Sequence, residues 1–290
     1  MAYNRRKFLQ QAGLLSSGVV LTAISSKLMG CNTVKSVITG DPVEGFGLQL
    51  YTLRDVLPKD PKGVLKQVAS FGYKQIESYE GDRGMFWGMG NKEFASYLND
   101  LGMRAVSSHC DTSKNNFAKK ADQAAEIGMK YLISPWLGPN KSLDFYKKAA
   151  DHFNECGAIC KERGLRFAYH NHDYSFKPVE GQLPQDVMMQ ATDPESVDYE
   201  MDIFWVVAAG QDPIAWFKKY PNRFRLSHIK DRKGPESVTL GTGTIDFAPI
   251  LKAGEDAGLQ YFLVEQEHYT GTTPIAAVQD SALYMKNLKF

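Results

Sequence analysis

The sequence predicts a closed parallel (β/α)8 barrel, a TIM barrel, and three observations carry that expectation. A phrase recurs in which an amphipathic stretch stops at a glycine and a short apolar run follows: "FGYKQIESY" from 71, "LGMRAVSSH" from 101, "IGMKYLISPW" from 127, "RGLRFAYHNH" from 163 and "AGLQYFLVEQE" from 257. Such a glycine suits the left-handed residue just past a helix, and mostly apolar runs suit strands covered on both faces. Further runs raise the total to eight alternating units, which fit one barrel domain in a chain of 290 residues. An open doubly wound sheet would place a glycine-rich fingerprint after its first strand, and "QLYTLRDV" has none.

Taken in order, "FGLQLY" near 46 is the first strand, and Asp60-Pro61 caps the helix after it. The second strand follows Gly72; "NKEFASYLNDLG" carries apolar residues at helical spacing and leads into the third. The fourth ends at Ser134-Pro135-Trp136, and the long amphipathic "SLDFYKKAADHFNECGAICKERG" leads into the fifth. "VDYEMDIF" near 197 is the sixth, Asp212-Pro213 caps a helix, "RFRLSHIK" near 223 is the seventh, and the run after Gly258 is the eighth. No linker or change of composition interrupts this series, so 46–290 reads as a single domain.

The first residues differ in kind. "NRRKFLQQ" sets Arg5 and Arg6 before an apolar stretch from Ala12 to Ile24, too short to span a bilayer. It resembles a twin-arginine export signal, and in "LMGC" Leu28, Gly30 and Cys31 resemble a lipobox. Residues 1–31 are therefore expected to be a signal segment and 32–45 a linker. The protein is expected in the periplasm of a bacterium, or as a lipoprotein touching the membrane only through a lipid anchor at Cys31.

Composition narrows the function. With 34 basic and 33 acidic residues the formal net charge is +1, which gives no electrostatic reason to expect nucleic acid. Cys110, Cys156 and Cys160 read as small core residues; Cys156 and Cys160 share a helix face but are badly oriented for a disulfide.

The chemistry of such a barrel sits at the C-terminal ends of its strands. Seven of the eight expected ends carry charge or imidazole: Arg54, Glu77, His109, His170 with His172, Glu200 with Asp202, His228 with Lys230, and Glu265 with Glu267. Burying that many ionisable groups is unfavourable unless they pair or bind a metal. The period of two lets His170 and His172 face the same way. Imidazoles and carboxylates without a thiolate suit a divalent Mn, Zn, Co or Mg ion, which would ease removal of a proton beside a carbonyl.

In "GLQLYTLRD" at 47, "AYHNHDYSF" at 168, "EMDIFW" at 200, "LSHIKD" at 226, "VTLGTGTIDF" at 238 and "FLVEQE" at 262, in that order and spacing, the chain resembles the xylose isomerase-like barrels called sugar phosphate isomerases/epimerases. The resemblance implies metal ligands at Asp202, His228 and Glu265, with His170 where the epimerases place a glutamate. The fourth ligand is then His170, His172 or a water, or else the site is metal-free. It also implies catalytic roles for Glu265, His170, Lys230 and His109. The main expectation is a metal-dependent isomerase or epimerase acting on a non-phosphorylated sugar or ketosugar derivative by proton abstraction next to a carbonyl. A lyase or dehydratase is the alternative, because histidine in place of one glutamate weakens two-sided proton transfer. A sugar-binding lipoprotein without catalysis is a lesser one.

Substrate contacts are expected from Arg54, Glu77, His172 and Trp87. The loop "GMFWGMG", 84 to 90, reads as a lid or stacking surface for a sugar ring, or as a plug on the barrel rim. Arg54 either anchors substrate or pairs with Asp55 or Asp60; Glu77 and Lys230 could be each other's partners. "GTGTIDF" lacks the Lys-Ser/Thr of a phosphate loop, and Asp246 reads as a helix cap. The expected partner is a small carbohydrate, and a homo-oligomer is compatible with the fold.

Overall fold

The computed structural model of the chain describes residues 45–290. The expected signal segment with its lipid site at Cys31, and the expected linker except for residue 45, lie outside them. Eight parallel strands close into a barrel: β1 (Gly47–Gln49), β2 (Gln75–Tyr79), β3 (Arg104–His109), β4 (Tyr131–Ser134), β5 (Arg166–His170), β6 (Val197–Asp202), β7 (Phe224–Ile229) and β10 (Tyr261–Val264). β1 closes the ring by pairing with both β2 and β10. Helices α1 (Pro61–Phe71), α2 (Asn91–Asp100), α3 (Phe117–Glu126), α4 (Leu143–Lys161), α5 (Pro184–Ala191), α6 (Ile203–Ala208), α7 (Pro213–Lys219), α8 (Phe247–Asp256) and α9 (Pro274–Asn287) complete the chain order.

The sequence-level rules act where expected at most element ends. Asp60 Oδ1 accepts from the Gly63 amide at the start of α1, and Gly72 ends that helix at φ 101°. Cys110, Cys156 and Cys160 are buried free thiols. Asp246 stands at the start of α8, but its side chain makes no capping bond.

Two differences matter for the site. The run "FGLQLY" stays extended only to Gln49, whose side chain accepts from the Tyr51 amide and turns Leu50–Leu53 into a 3-10 turn. A hairpin absent from the expected series, β8 (Asp231–Lys233) with β9 (Glu236–Val238), follows β7. Asp231 also organises the glycine-rich loop beyond it, taking the amides of Gly241, Gly243 and Ile245 on its carboxylate. Those amides are consumed, so the loop offers no phosphate cradle. A Cβ on Gly243 would stand 2.2 Å from Asp231 Oδ1, which is why glycine is needed there.

Parity along the strands builds the barrel interior in layers. Ala168, Leu226 and Leu263 belong to one apolar cluster, and two residues later on the same inward face come His170, His228 and Glu265. Register shifts between Ile76 and Glu77, and between Tyr199 and Glu200, fall where two buried glutamates enter the barrel. Such irregularities re-aim side chains next to functional sites.

Candidate active site

The polar layer divides into two clusters that share one imidazole. In the upper, one ligand atom each from His170, Asp202, His228 and Glu265 lies within 4.8 Å of every other. The lower contains Glu77, His109, Glu200 and again His228. Asp202 and His228 are fully buried, with His170 and Glu265 each 4% exposed.

The two nitrogens of His228 serve the two clusters separately. Nε2 stands 2.7 Å from Glu77 Oε1, whereas Nδ1 stands 3.0 Å from Glu265 Oε2 and 3.1 Å from His170 Nε2. Donation from Nε2 to Glu77 leaves the Nδ1 lone pair for the upper cluster, the usual carboxylate–histidine–metal arrangement. Glu77 is fixed in turn by Gln49 Nε2 at 2.7 Å and Ser107 Oγ at 2.6 Å. His170 Nε2 lies 3.4 Å from Asp202 Oδ2, which is 3.8 Å from His228 Nδ1.

These spacings fit a divalent ion. Four ligands about 2.0–2.1 Å from a tetrahedral ion stand roughly 3.3 Å apart. Charge fits as well. Lys230 Nζ lies 3.3 Å from Asp202 Oδ2 and 3.1 Å from Glu265 Oε2, and also bonds Glu267. Three carboxylates against one ammonium leave a deficit that a divalent cation would cancel. Burial alone would raise the pKa of Asp202 and Glu265, but the Lys230 ammonium and the histidines outweigh it and hold both carboxyls well below the ordinary range. Burial likewise works against charge on His228, yet Glu200 and Glu265 hold its pKa well above that of a free imidazole, so an ion binding in the upper cluster would take the place of the Nδ1 proton. In the lower cluster burial opposes ionisation of Glu77, but His109 and His228 bring it to about 2. Burial and the charge of Glu77 push Glu200 well up. Burial brings His109 down to about 4, leaving a neutral ring whose Nε2 is 2.7 Å from Glu200 Oε2.

Above the upper cluster opens a cavity of about 430 Å³, walled by Tyr51, Tyr79, His109, Trp136, His170, His172, Glu265 and Glu267 among others. No arginine or lysine is among the described residues lining it. Glu265 spans the two regions. Its Oε2 contacts His228 and Lys230, and its Oε1 makes no hydrogen bond among the described residues.

Several expected contacts are corrected. Trp87 does not face the cavity: its ring is 3% exposed, packs on Tyr79 and donates to Ser78 Oγ at 3.2 Å, so the "GMFWGMG" loop is a rim plug. Glu77 is fully buried beneath His228 and does not pair with Lys230. Arg54 pairs with neither Asp55 nor Asp60; it donates to the Glu267 carbonyl at 2.6 Å and lies over the Tyr51 ring. His172 lines the cavity but lies outside both ligand clusters. Sequence reasoning passed over Asn171, whose amide brackets Asp202 by bonding its backbone carbonyl and amide, each at 3.2 Å. An amide flanked by two histidines in "HNH" was the available signal.

A family model described as a xylose isomerase-like TIM barrel matches residues 65–288. The chain belongs to that family. A Parabacteroides distasonis structure described as a sugar phosphate isomerase/epimerase is 31% identical, with a TM-score of 0.72, over 82% of this chain and 92% of its own. An inosose dehydratase of Clostridium perfringens is 32% identical over 143 residues, 42% of this chain and 47% of the dehydratase. The chain thus spans about half the length of the dehydratases it matches. The IolI protein with a bound zinc atom, 16% identical with a TM-score of 0.66, shares the fold. The family's members here are enzymes, isomerases or epimerases in some cases and dehydratases in others.

Proposed function

We propose that the protein is a metal-dependent enzyme that removes a proton next to a carbonyl of a non-phosphorylated ketosugar derivative and completes an elimination, expelling water from an inosose-type substrate or the C1 alcohol from a 3-keto-glycoside. The observation that carries this reading is the divided role of Glu265, whose side chain lines the cavity with one oxygen bonded to His228 and Lys230 and the other without a hydrogen bond among the described residues. His170, Asp202, His228 and Glu265 would hold the ion, in keeping with the zinc atom bound by the IolI protein. Once bound, it supplies Lewis-acid polarisation of the substrate's carbonyl and hydroxyl oxygens.

The remaining work falls to the side chains. Glu265 Oε1 takes the proton from carbon, and the C–H electron pair becomes the new double bond as the neighbouring C–O bond breaks. The departing oxygen, hydroxide from an inosose or the C1 alkoxide from a 3-keto-glycoside, regains a proton from Glu265 on the same face, so one residue serves as base and then as acid. Neutral His109, anchored through Nε2 on Glu200, offers its other ring nitrogen to a substrate oxygen. Lys230 keeps Glu265 and Glu267 ionised and oriented. Epimerisation would need a second free carboxylate on the opposite side, where β5 ends in His170 within the ligand cluster. A cavity lined by carboxylates and by no arginine or lysine among the described residues supports an uncharged sugar rather than a sugar phosphate. The export signal expected at the N-terminus agrees, since sugar phosphates are kept in the cytoplasm.

The similarity to the P. distasonis isomerase/epimerase over nearly all of that chain favours epimerisation as the second reading. Product analysis in deuterated water separates the two. Incubation of the manganese-loaded chain with an inosose and with a methyl 3-ketoglucoside is expected to give an unsaturated ketone and no epimer. An epimer deuterated at the inverted carbon would return the protein to the epimerases.

A further inference from the structure

The cavity is built in two tiers, and the mechanism uses only the lower one. The reacting groups Glu265, His109 and His170 are at most 7% exposed, so the ring undergoing chemistry sits deep. At the rim stand Trp136, 55% exposed, and Tyr51, 39% exposed. Only four large hydrophobic side chains are this exposed among the described residues, and these two both line the cavity. They follow β4 and β1, three places apart around the eight-strand ring and so nearly opposite.

Both aromatics are held in place. The Trp136 ring stands at 87° to both His172 and Tyr174, with centroids 4.5 and 5.1 Å away, and Tyr174 Oη accepts from the Leu137 amide at 3.0 Å, pinning the loop. Tyr51 packs at 83° on Tyr79, with the Arg54 guanidinium over its ring and Arg54 itself tied to the Glu267 carbonyl. Between rim and floor, His172 lines the cavity with no hydrogen bond to either ring nitrogen; His172 Nδ1 is a buried polar atom without a partner.

We infer that Trp136, Tyr51 and His172 form an outer subsite for a second ring, so that the substrate is a glycoside, a disaccharide or aryl glycoside whose inner ring carries the ketone. This rests on the ketosugar reading above. Rigid, exposed indole and phenol faces pack well on sugar or aryl rings and contribute contact area at little entropic loss. A cavity of about 430 Å³ falls within the range that holds a ligand larger than one small ring.

The test compares wild type, Trp136→Ala and Trp136→Phe on 3-ketocellobiose and on 3-ketoglucose. Trp136→Ala is expected to raise KM for the two-ring substrate about tenfold with kcat unchanged and to leave the one-ring substrate within twofold, as expected for loss of an aromatic stacking partner. Trp136→Phe should recover most of the loss. An equal effect on both substrates, or none on either, overturns the subsite. Saturation-transfer NMR of the manganese-loaded chain with cellobiose and with glucose gives a readout independent of turnover. Transfer to the second ring of cellobiose that vanishes in Trp136→Ala supports the subsite even where neither ketosugar reacts, and only the catalytic reading then fails. Equal transfer in the two proteins, including none in either, overturns it.

Discussion

Glu265→Gln is expected to lower turnover about 10³-fold while the chain stays folded. A positioned general base contributes roughly 10²–10⁴-fold, and the substitution removes that base together with one anionic ligand. The amide that replaces Oε2 also faces His228 and the Lys230 ammonium, so the remaining contacts are poorly matched. Initial rates on a ketosugar at saturating manganese, with circular dichroism as the folding control, measure the effect. Glu267→Gln is the informative contrast. Its carboxylate bonds Lys230 from outside the ligand cluster, so a loss of only about tenfold is expected. Turnover of Glu265→Gln within tenfold of wild type would remove Glu265 from the chemistry.

Lys230→Met is expected to cost about 3–5 kcal/mol of stability, seen as a fall in melting temperature of about 10 °C for a domain of this size. The ammonium is 1% exposed, contacts Asp202, Glu265 and Glu267, and lies over the rings of Phe204 and Trp205. Methionine fills the space but leaves three carboxylates without their shared counter-charge, two of them buried. Saturating divalent ion should recover part of the loss, because binding to the folded state alone stabilises it by mass action. Thermal unfolding with and without chelator checks both statements. An unchanged melting temperature in chelator would mean that the carboxylates do not depend on the ammonium.

The barrel was legible because its signals are local and repeated. A helix-ending glycine followed by an apolar run needs no knowledge of distant residues, and the inward parity of His170, His228 and Glu265 follows from period two alone. Which of these residues would bind an ion was implied by the family resemblance and not by parity. What the sequence hid depends on packing between elements. Trp87 looked like a cavity wall because composition cannot show that its ring turns inward onto Tyr79 and Ser78. Trp136 gives no such signal, because an indole carries no charge and its exposure depends on the packing of the loop after β4. Glu77 and Lys230, both able to pair, serve different neighbours: Glu77 meets His228 Nε2 below, and Lys230 meets Asp202, Glu265 and Glu267 above. The role of Asn171 rests on its bonds to the Asp202 backbone across the β5–β6 pair, which sequence alone does not show.

The central claim is that His170, Asp202, His228 and Glu265 hold one divalent ion on which proton abstraction depends. Metal content of the purified chain, measured by mass spectrometry after dialysis against manganese and again for Asp202→Asn and His228→Asn, tests it directly. The account predicts close to one ion per wild-type chain, a small fraction of that in either variant, and turnover that falls in the same proportion. A folded wild-type chain that binds no divalent ion, or variants that keep a full complement, would contradict it.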